Sequence, residues 1–376
     1  MLKRAEASSS YIPGLDGVRA CAFLLVFFAH AGLQKVWGAS GGLGVTVFFF
    51  LSGYLITTLL RVEAEKTGTI SLKNFYLRRA FRILPPMYIT LAVAYSLAAA
   101  GFLYARGNLM GFVSASAYFY NYAALLSHKV ELPTGLGVLW SLMVEEHFYL
   151  VFPFVYLWFI RRRMSRSKQV SILLGACALA LVWRYYLVAT GHISFGKNDV
   201  RWTNIATDAR FDSILFGCVL AIWHNPWLKE LPPWMERNKG RLALAGVAIM
   251  LASIGFRNPY FRESARNTLQ GIALYPMFIY VVSATPKWLE WKPMRWIGWS
   301  SYTMYLIHVL FILEGNHLFP SHGLIVDAVS FVLALLYAWA MRDAVELPLR
   351  KVRVSLETRL KKRKEALVFS AGVTKV

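Results

Sequence analysis

Apolar residues run along this chain in long blocks separated by short polar connections, without the alternation of a half-buried strand. Blocks approaching the ~20 residues a helix needs to cross a bilayer fall at 18–37, 42–60, 84–104, 109–126, 136–160, 170–189, 211–224, 242–256, 268–284, 298–315 and 324–341. The pattern predicts an all-α fold, a polytopic helical bundle integral to a membrane.

Charge placement then decides the number of crossings. Lys3 and Arg4 near one end and the basic stretch from Arg350 to Lys364 near the other both suit a cytoplasmic face, which eleven crossings would not allow. The stretch from Arg61 to Arg82 and the cluster Arg161, Arg162, Arg163, Arg166 and Lys168 also suit that face, so an even number of spans must lie between them. Of the three blocks there, 109–126 is the most polar, with Ser114, Ser116, Asn121 and several tyrosines, and it is expected to be re-entrant or buried. About ten spans follow, in the inner cell membrane, with both termini cytoplasmic. The segment with Arg257, Arg262 and Arg266 falls outside, against the charge rule.

One membrane domain is expected over 13–350, after a cytoplasmic segment 1–12 and before a basic cytoplasmic tail 351–376 suited to a short amphipathic helix on the inner leaflet. The first apolar run begins only at Ala20, with no clean cleavage site, and is expected to be retained. The sequence offers no second soluble domain.

Composition supports the same class. Of 376 residues 57% are hydrophobic, more apolar surface than one soluble core would bury, and mean hydropathy is +0.46. The net charge of +21 would elsewhere suggest nucleic acid. Here the basic residues cluster between apolar blocks and no recognition motif accompanies them, so no nucleic-acid partner is expected. Cys21, Cys177 and Cys218 sit in apolar stretches without metal or redox spacing. No zinc-binding, nucleotide-binding or nucleophile-elbow motif is found, and no metal is expected.

Ionisable groups inside apolar blocks are costly and mark sites or packing. In LDGVRACAFLLVFFAH, Arg19 and His30 lie eleven positions apart, on one helix face, with about 16 Å of rise between them. Alone, Arg19 reads equally as an interfacial anchor and His30 as an interhelical packing group. In GVTVFFFLSGYLI, Ser52 and Gly53 interrupt an apolar helix, which packing alone would explain. In NFYLRRAFRILPPMY, Arg78, Arg79 and Arg82 stand before Pro85 and Pro86, which are expected to open a span. Arg79 and Arg82 share a face and suit a phosphate, a lipid headgroup or topology alone. In LWSLMVEEHFYLVFP, Glu145 and Glu146 point about 100° apart, so one of them faces any given partner. Ser301, Tyr305 and His308 form a polar stripe. Trp140, Ser141, Glu146, Asp208, Arg210, Asp212 and His308 are the candidates for acceptor contacts.

In this order, LDGVRA with His30, GVTVFFFLSGYLI, RRAFRILPPMY, LWSLMVEEHFYL, DARFDSILFG, SYTMYLIH and VELPLRK resemble membrane acyltransferase family 3 from about Tyr11 to Arg350. These are bacterial O-acyltransferases of surface polysaccharides, lipid-linked sugars, Nod factors and macrolides. Tyr54 stands where the family often has phenylalanine, and His147 where glutamine is common. The resemblance implies essential roles for Arg19 and His30, a family carboxylate at Glu145, and donor contact for Arg79 and Arg82. It also implies acetyl-CoA or another acyl-CoA as donor substrate, no permanently bound cofactor, and a sugar, polysaccharide or lipid-linked glycan as hydroxyl acceptor. The fused extracytoplasmic hydrolase-like domain of some members is not expected here.

On that reading Arg78, Arg79 and Arg82, with Arg19 as a further candidate, meet the donor phosphates. His30 then serves as general base or briefly carries the acyl group, with Glu145 orienting its ring or stabilising its charged form. A secondary transporter or flippase for a polar solute is the competing class, since intramembrane charges and broken helices would serve it too. Inverted repeats would favour it, and none is evident.

Overall fold

The structure, a computed structural model, describes residues 11–31, 41–127, 129–191 and 201–357. Expectations for Lys3, Arg4 and the tail from 358 onward lie outside the described residues.

Helices account for nearly all of the described chain, in the order α1 (Leu15–His30), α2 (Gly41–Thr67), α3 (Leu72–Ala99), α4 (Leu109–Ser116) and α5 (Tyr120–Leu126). A tight turn over Leu136–Leu139 leads into α6 (Trp140–Arg161), followed by α7 (Arg166–Ala189), α8 (Trp202–Ile205), α9 (Thr207–Trp223) and α10 (Pro233–Gly255). The last are α11 (Pro259–Glu263), α12 (Arg266–Ala284), α13 (Lys292–Leu318) and α14 (Gly323–Met341), whose helical path widens over Arg342–Glu346. No strand occurs among the described residues, where the only strand-like pairing is an isolated bridge between Arg106 and Pro133. Side-chain caps mark several helix starts: Ser71 accepts from the Asn74 amide, Asn108 from Gly111 and Ser165 from Lys168.

Six helical stretches are long and apolar enough to cross a membrane: α2, α3, α6 with its leading turn, α7, α13, and α14 with its continuation to Glu357. The expectation of about ten needs four more helices that do not reach this measure. Of these, α1 has 16 described residues, and its expected extension to 37 lies outside them. The others are α9, with buried Arg210 and Asp212, α10, with a polar stretch from Glu236 to Arg241, and α12, with buried Asn267 and Gln270. The polar block 109–126 is two short helices, α4 and α5, of 8 and 7 residues.

Exposed faces carry what a soluble protein buries. Leu324, Ile325, Val329, Val332 and Leu336 line the outside of α14, and Leu150, Val151, Phe154 and Trp158 that of α6. In water such patches would drive association, whereas hydrocarbon accepts them.

Three local expectations change. The stretch from Arg61 to Arg82 is not a loop: only residues 68–71 separate α2 from α3. Arg61 is buried, its guanidinium donating to the carbonyls of Ala221 and Ile222 at 2.9 and 3.2 Å, because the end of α9 packs there. Pro85 and Pro86 lie in the middle of α3 rather than at its start. Neighbouring helices hold the helix through this interruption, Tyr302 donating to the Ile83 carbonyl at 2.9 Å and Tyr337 bonding Thr90 at 2.8 Å. Of the arginines that broke the charge rule, Arg262 has a partner: Glu263 accepts from it at 3.1 Å, and also from Arg201 at 2.6 Å. Burial pushes the Glu263 carboxyl up, but Thr203 and these charges outweigh it and hold it below the usual carboxylate range.

The core forms around α2, which touches α1, α6, α9 and α12. Its approach to α9 is backbone to backbone: a Cβ on Gly53 would lie 1.9 Å from the Ile214 carbonyl oxygen, and one on Gly217 2.0 Å from that of Phe50. Gly53→Ala is therefore expected to separate the two helices and lower the thermal midpoint of the detergent-solubilised protein. Gly240→Ala, whose Cβ would meet nothing within 4 Å, is expected to leave the midpoint level or raise it, reflecting a stabilisation of up to ~1 kcal/mol. Gly298 gives the same closeness against the Asp16 carbonyl, docking α1 on α13. The two helices run parallel, with Asp16 beside Gly298 at one end and His30 beside His308 at the other.

Candidate active site

Two cavities sit end to end along α1 and α13. The first, narrow at about 100 Å³, is lined by Arg19 of α1, Ser52 of α2, Arg79 and Arg82 of α3, Glu145 and Tyr149 of α6, and Ser301, Tyr302 and Tyr305 of α13. Arg19 is paired with Asp16 at 2.6 Å. The Arg79 guanidinium lies 4.8 Å from the Tyr149 ring centroid, a cation held on an aromatic face. Among the described residues, neither Arg79 nor Arg82 makes an ion pair, so both charges stand ready for an anion from outside the chain. Arg78 turns away and pairs with Glu63 at 3.3 Å, lining an adjoining cleft with Arg79, Arg82 and Arg353.

The second cavity, about 680 Å³, is lined by His30, Trp140, Tyr104, Tyr120, Thr134 and His317 among others. Flat aromatic faces beside a few polar groups suit a sugar ring better than an acyl chain. His30 Nδ1 lies 2.9 Å from the Val26 carbonyl oxygen and 3.4 Å from His308 Nε2. His308 is fully buried.

A thin partition separates the two spaces. Ser141 lines the first and its neighbour Trp140 the second; on α13, Tyr305 lines the first and Val309, one turn on, the second. The Ser141 and Tyr305 hydroxyls are 2.7 Å apart, and both lie 3.2 Å from the Val138 carbonyl oxygen. The partition is thus about one helical turn, ~6 Å, thick.

The sequence expectations divide accordingly. Arg79 and Arg82 do share a face, and of the two adjacent carboxylates only Glu145 reaches the first cavity. Glu146 is turned aside, with one carboxylate oxygen buried and without a hydrogen-bond partner. The expectation that Glu145 orients His30 is corrected: Glu145 accepts from Ser52 at 3.2 Å and Tyr149 at 3.0 Å in the first cavity, whereas the ring beside His30 belongs to His308. Spacing along α6 could not reveal this, because the α1 to α13 docking decides what His30 meets.

The group Asp208, Arg210 and Asp212 lines neither cavity. Asp208 accepts from Tyr122 at 2.7 Å, Trp183 at 2.5 Å and Trp202 at 2.6 Å. Asp212 pairs with Arg184 of α7 at 2.7 Å, both fully buried, and accepts from Thr268 of α12 at 2.8 Å. Arg210, equally buried, lies behind the partition, its guanidinium 5.6 and 5.7 Å from the Phe49 and Trp140 ring centroids.

Tyr104, Tyr120, Thr134 and His317 of the second cavity carry no signal in the sequence. They lie in or beside connections brought together by the Arg106 to Pro133 bridge and the tilted ring contact of Tyr104 with His317, 4.8 Å between centroids.

A helical bundle with apolar outer faces, a cationic cavity on one side and a histidine cavity on the other defines a helical membrane protein with two unlike cavities. The acyltransferase domain family matches residues 12–343, and the chain belongs to this family, acyltransferase family 3. It is similar to the peptidoglycan O-acetyltransferase OatA of Listeria monocytogenes, 32% identical over 323 residues, 82% of this chain and 50% of that protein. It is also similar to the O-acetyltransferase OatA of Staphylococcus aureus strain NCTC 8325, 28% identical over 370 residues, 93% of this chain and 59% of the relative. The chain thus spans about half the length of the curated relatives it matches. No solved structure gives a significant match.

Proposed function

We propose that the protein is an O-acetyltransferase that moves an acetyl group from cytoplasmic acetyl-CoA to a hydroxyl of a peptidoglycan sugar, from within the inner membrane and with both termini cytoplasmic. The observation that carries this reading is the pair of unlike cavities meeting at Trp140 and Ser141. One presents unpaired guanidinium groups suited to phosphates, the other a histidine among aromatic side chains suited to a sugar. The names of the relatives support acetyl as the group and peptidoglycan as the acceptor.

In this scheme Arg79 and Arg82, with Arg19 and Arg78 nearby, hold the donor's phosphates while its pantetheine arm runs into the first cavity toward the partition. The acceptor hydroxyl lies against His30. His30 takes the hydroxyl proton, the oxygen attacks the thioester carbonyl carbon, the carbon to sulfur bond breaks, and the leaving thiolate recovers the proton from the imidazolium. Passage of the thioester needs the Ser141 to Tyr305 contact to part. Glu145, held by Ser52 and Tyr149, keeps the Tyr149 ring under Arg79.

The test is label transfer from radiolabelled acetyl-CoA in membrane vesicles carrying nascent peptidoglycan, made with and without the protein. Label that enters the glycan sugars only with the protein supports the reading; label confined to lipid, or none with inserted protein, overturns it. In the same assay Arg79→Met is expected to raise KM for acetyl-CoA about 10- to 100-fold, the worth of a charge-assisted contact. Arg78→Met, whose partner is Glu63, is expected to change it less than about threefold.

A further inference from the structure

We propose that His308 is the positioning residue for His30: it fixes the tautomer of the His30 ring and supports the positive charge that forms on it. The inference rests on the reading of His30 as the base in acetyl transfer.

The hydrogen-bond partners decide the protons. A carbonyl oxygen only accepts, so the 2.9 Å contact of His30 Nδ1 with the Val26 carbonyl requires a proton on Nδ1. A neutral His30 then carries its lone pair on Nε2, the nitrogen a base must use. Among the described residues none hydrogen-bonds that atom, and the ring lines the 680 Å³ cavity.

The same logic applies to His308. Its Nδ1 lies 2.8 Å from the Tyr305 carbonyl oxygen, so Nδ1 bears the proton and Nε2 keeps a lone pair. That nitrogen lies 3.4 Å from His30 Nδ1, whose proton the Val26 carbonyl and His308 therefore share. When His30 takes a proton on Nε2, the positive charge spreads to Nδ1 and both contacts strengthen. This is the part a buried carboxylate plays for the histidine of serine hydrolases, here played by a neutral ring that adds no buried charge.

Packing leaves His308 one orientation. It is fully buried, with Phe23 and Phe27 of α1 at 5.6 and 6.2 Å and Tyr305 at 5.5 Å between ring centroids. Tyr305 also closes the partition through Ser141, so the element that orients the base is continuous with the wall the acetyl group must pass.

The test compares His308→Leu, which fills the space without an acceptor, with His308→Gln, whose side-chain oxygen takes roughly the place of Nε2. Acetyl-CoA kinetics are read in vesicles with nascent peptidoglycan, beside His30→Ala, with thermal midpoints taken after detergent extraction. His308→Leu is expected to lower kcat on the order of 100-fold at unchanged KM for acetyl-CoA, and His308→Gln to stay within about tenfold of wild type. Wild-type kcat in His308→Leu beside an inactive His30→Ala overturns the role of His308 and leaves the base in place. Equal losses in Leu and Gln, or losses that follow the thermal midpoint, reduce His308 to packing. Full activity in His30→Ala removes both readings.

Discussion

Acetyl transfer by His30→Ala is expected to fall by a factor on the order of 10³, near the middle of what general base catalysis contributes, with extraction and thermal midpoint close to wild type. The stability expectation follows from position. His30 ends α1, is exposed to the second cavity, and bonds only Val26 and His308 among the described residues. Shortening it opens no core cavity, and His308 keeps its bond to the Tyr305 carbonyl. Binding of acetyl-CoA should survive, since the residues of the first cavity are untouched, so the loss should appear in kcat. A fall in yield matching the fall in activity would instead assign His30 to the fold.

The largest effect on stability is expected at Arg184. Its guanidinium is fully buried and donates to Asp212 at 2.7 Å, to Thr268, and to the carbonyls of Ser264 and Ala209. It thereby ties α7, α9 and the approach to α12 together. Arg184→Met would leave the Asp212 carboxylate in a dry interior without its cation, a loss of about 3–5 kcal/mol, enough to unfold many domains. The double variant Arg184→Met, Asp212→Leu removes the stranded charge and should regain much of the loss. Thermal or denaturant unfolding of the three proteins in one detergent separates the cases: if the double variant is no better than the single, the pair's worth lies in shape rather than charge.

These cases bear on what the sequence made legible. The helical class, the unusual block 109–126 and the ordered motifs are written in composition and spacing, because a bilayer demands long apolar runs and makes every charge within them conspicuous. The same demand put Asp212 among the acceptor candidates. A charge inside an apolar segment looks alike whether it meets a ligand or Arg184, and the partner lies 28 positions away on another helix. The face shared by Arg79 and Arg82 was readable because it belongs to one helix. The meeting of His30 with His308 depends on how closely α1 and α13 approach, which Gly298 sets against the Asp16 carbonyl. The prolines misled for a related reason: isolated, they would end a helix, but the Tyr302 and Tyr337 hydroxyls on adjacent helices hold α3 through them.

The contact between Ser141 and Tyr305 carries one more implication, for the cell rather than the reaction. A water-filled passage joining two open cavities would conduct protons and ions and run down the gradient that energises the membrane. The two hydroxyls are 2.7 Å apart and each lies 3.2 Å from the Val138 carbonyl, so their two protons are used within the contact, one hydroxyl donating to the other and the second to the carbonyl. At rest this contact stands between the two cavities. A reactive group carried through it on a slender arm would fill the gap as it opened it, so the chemistry could proceed without a leak.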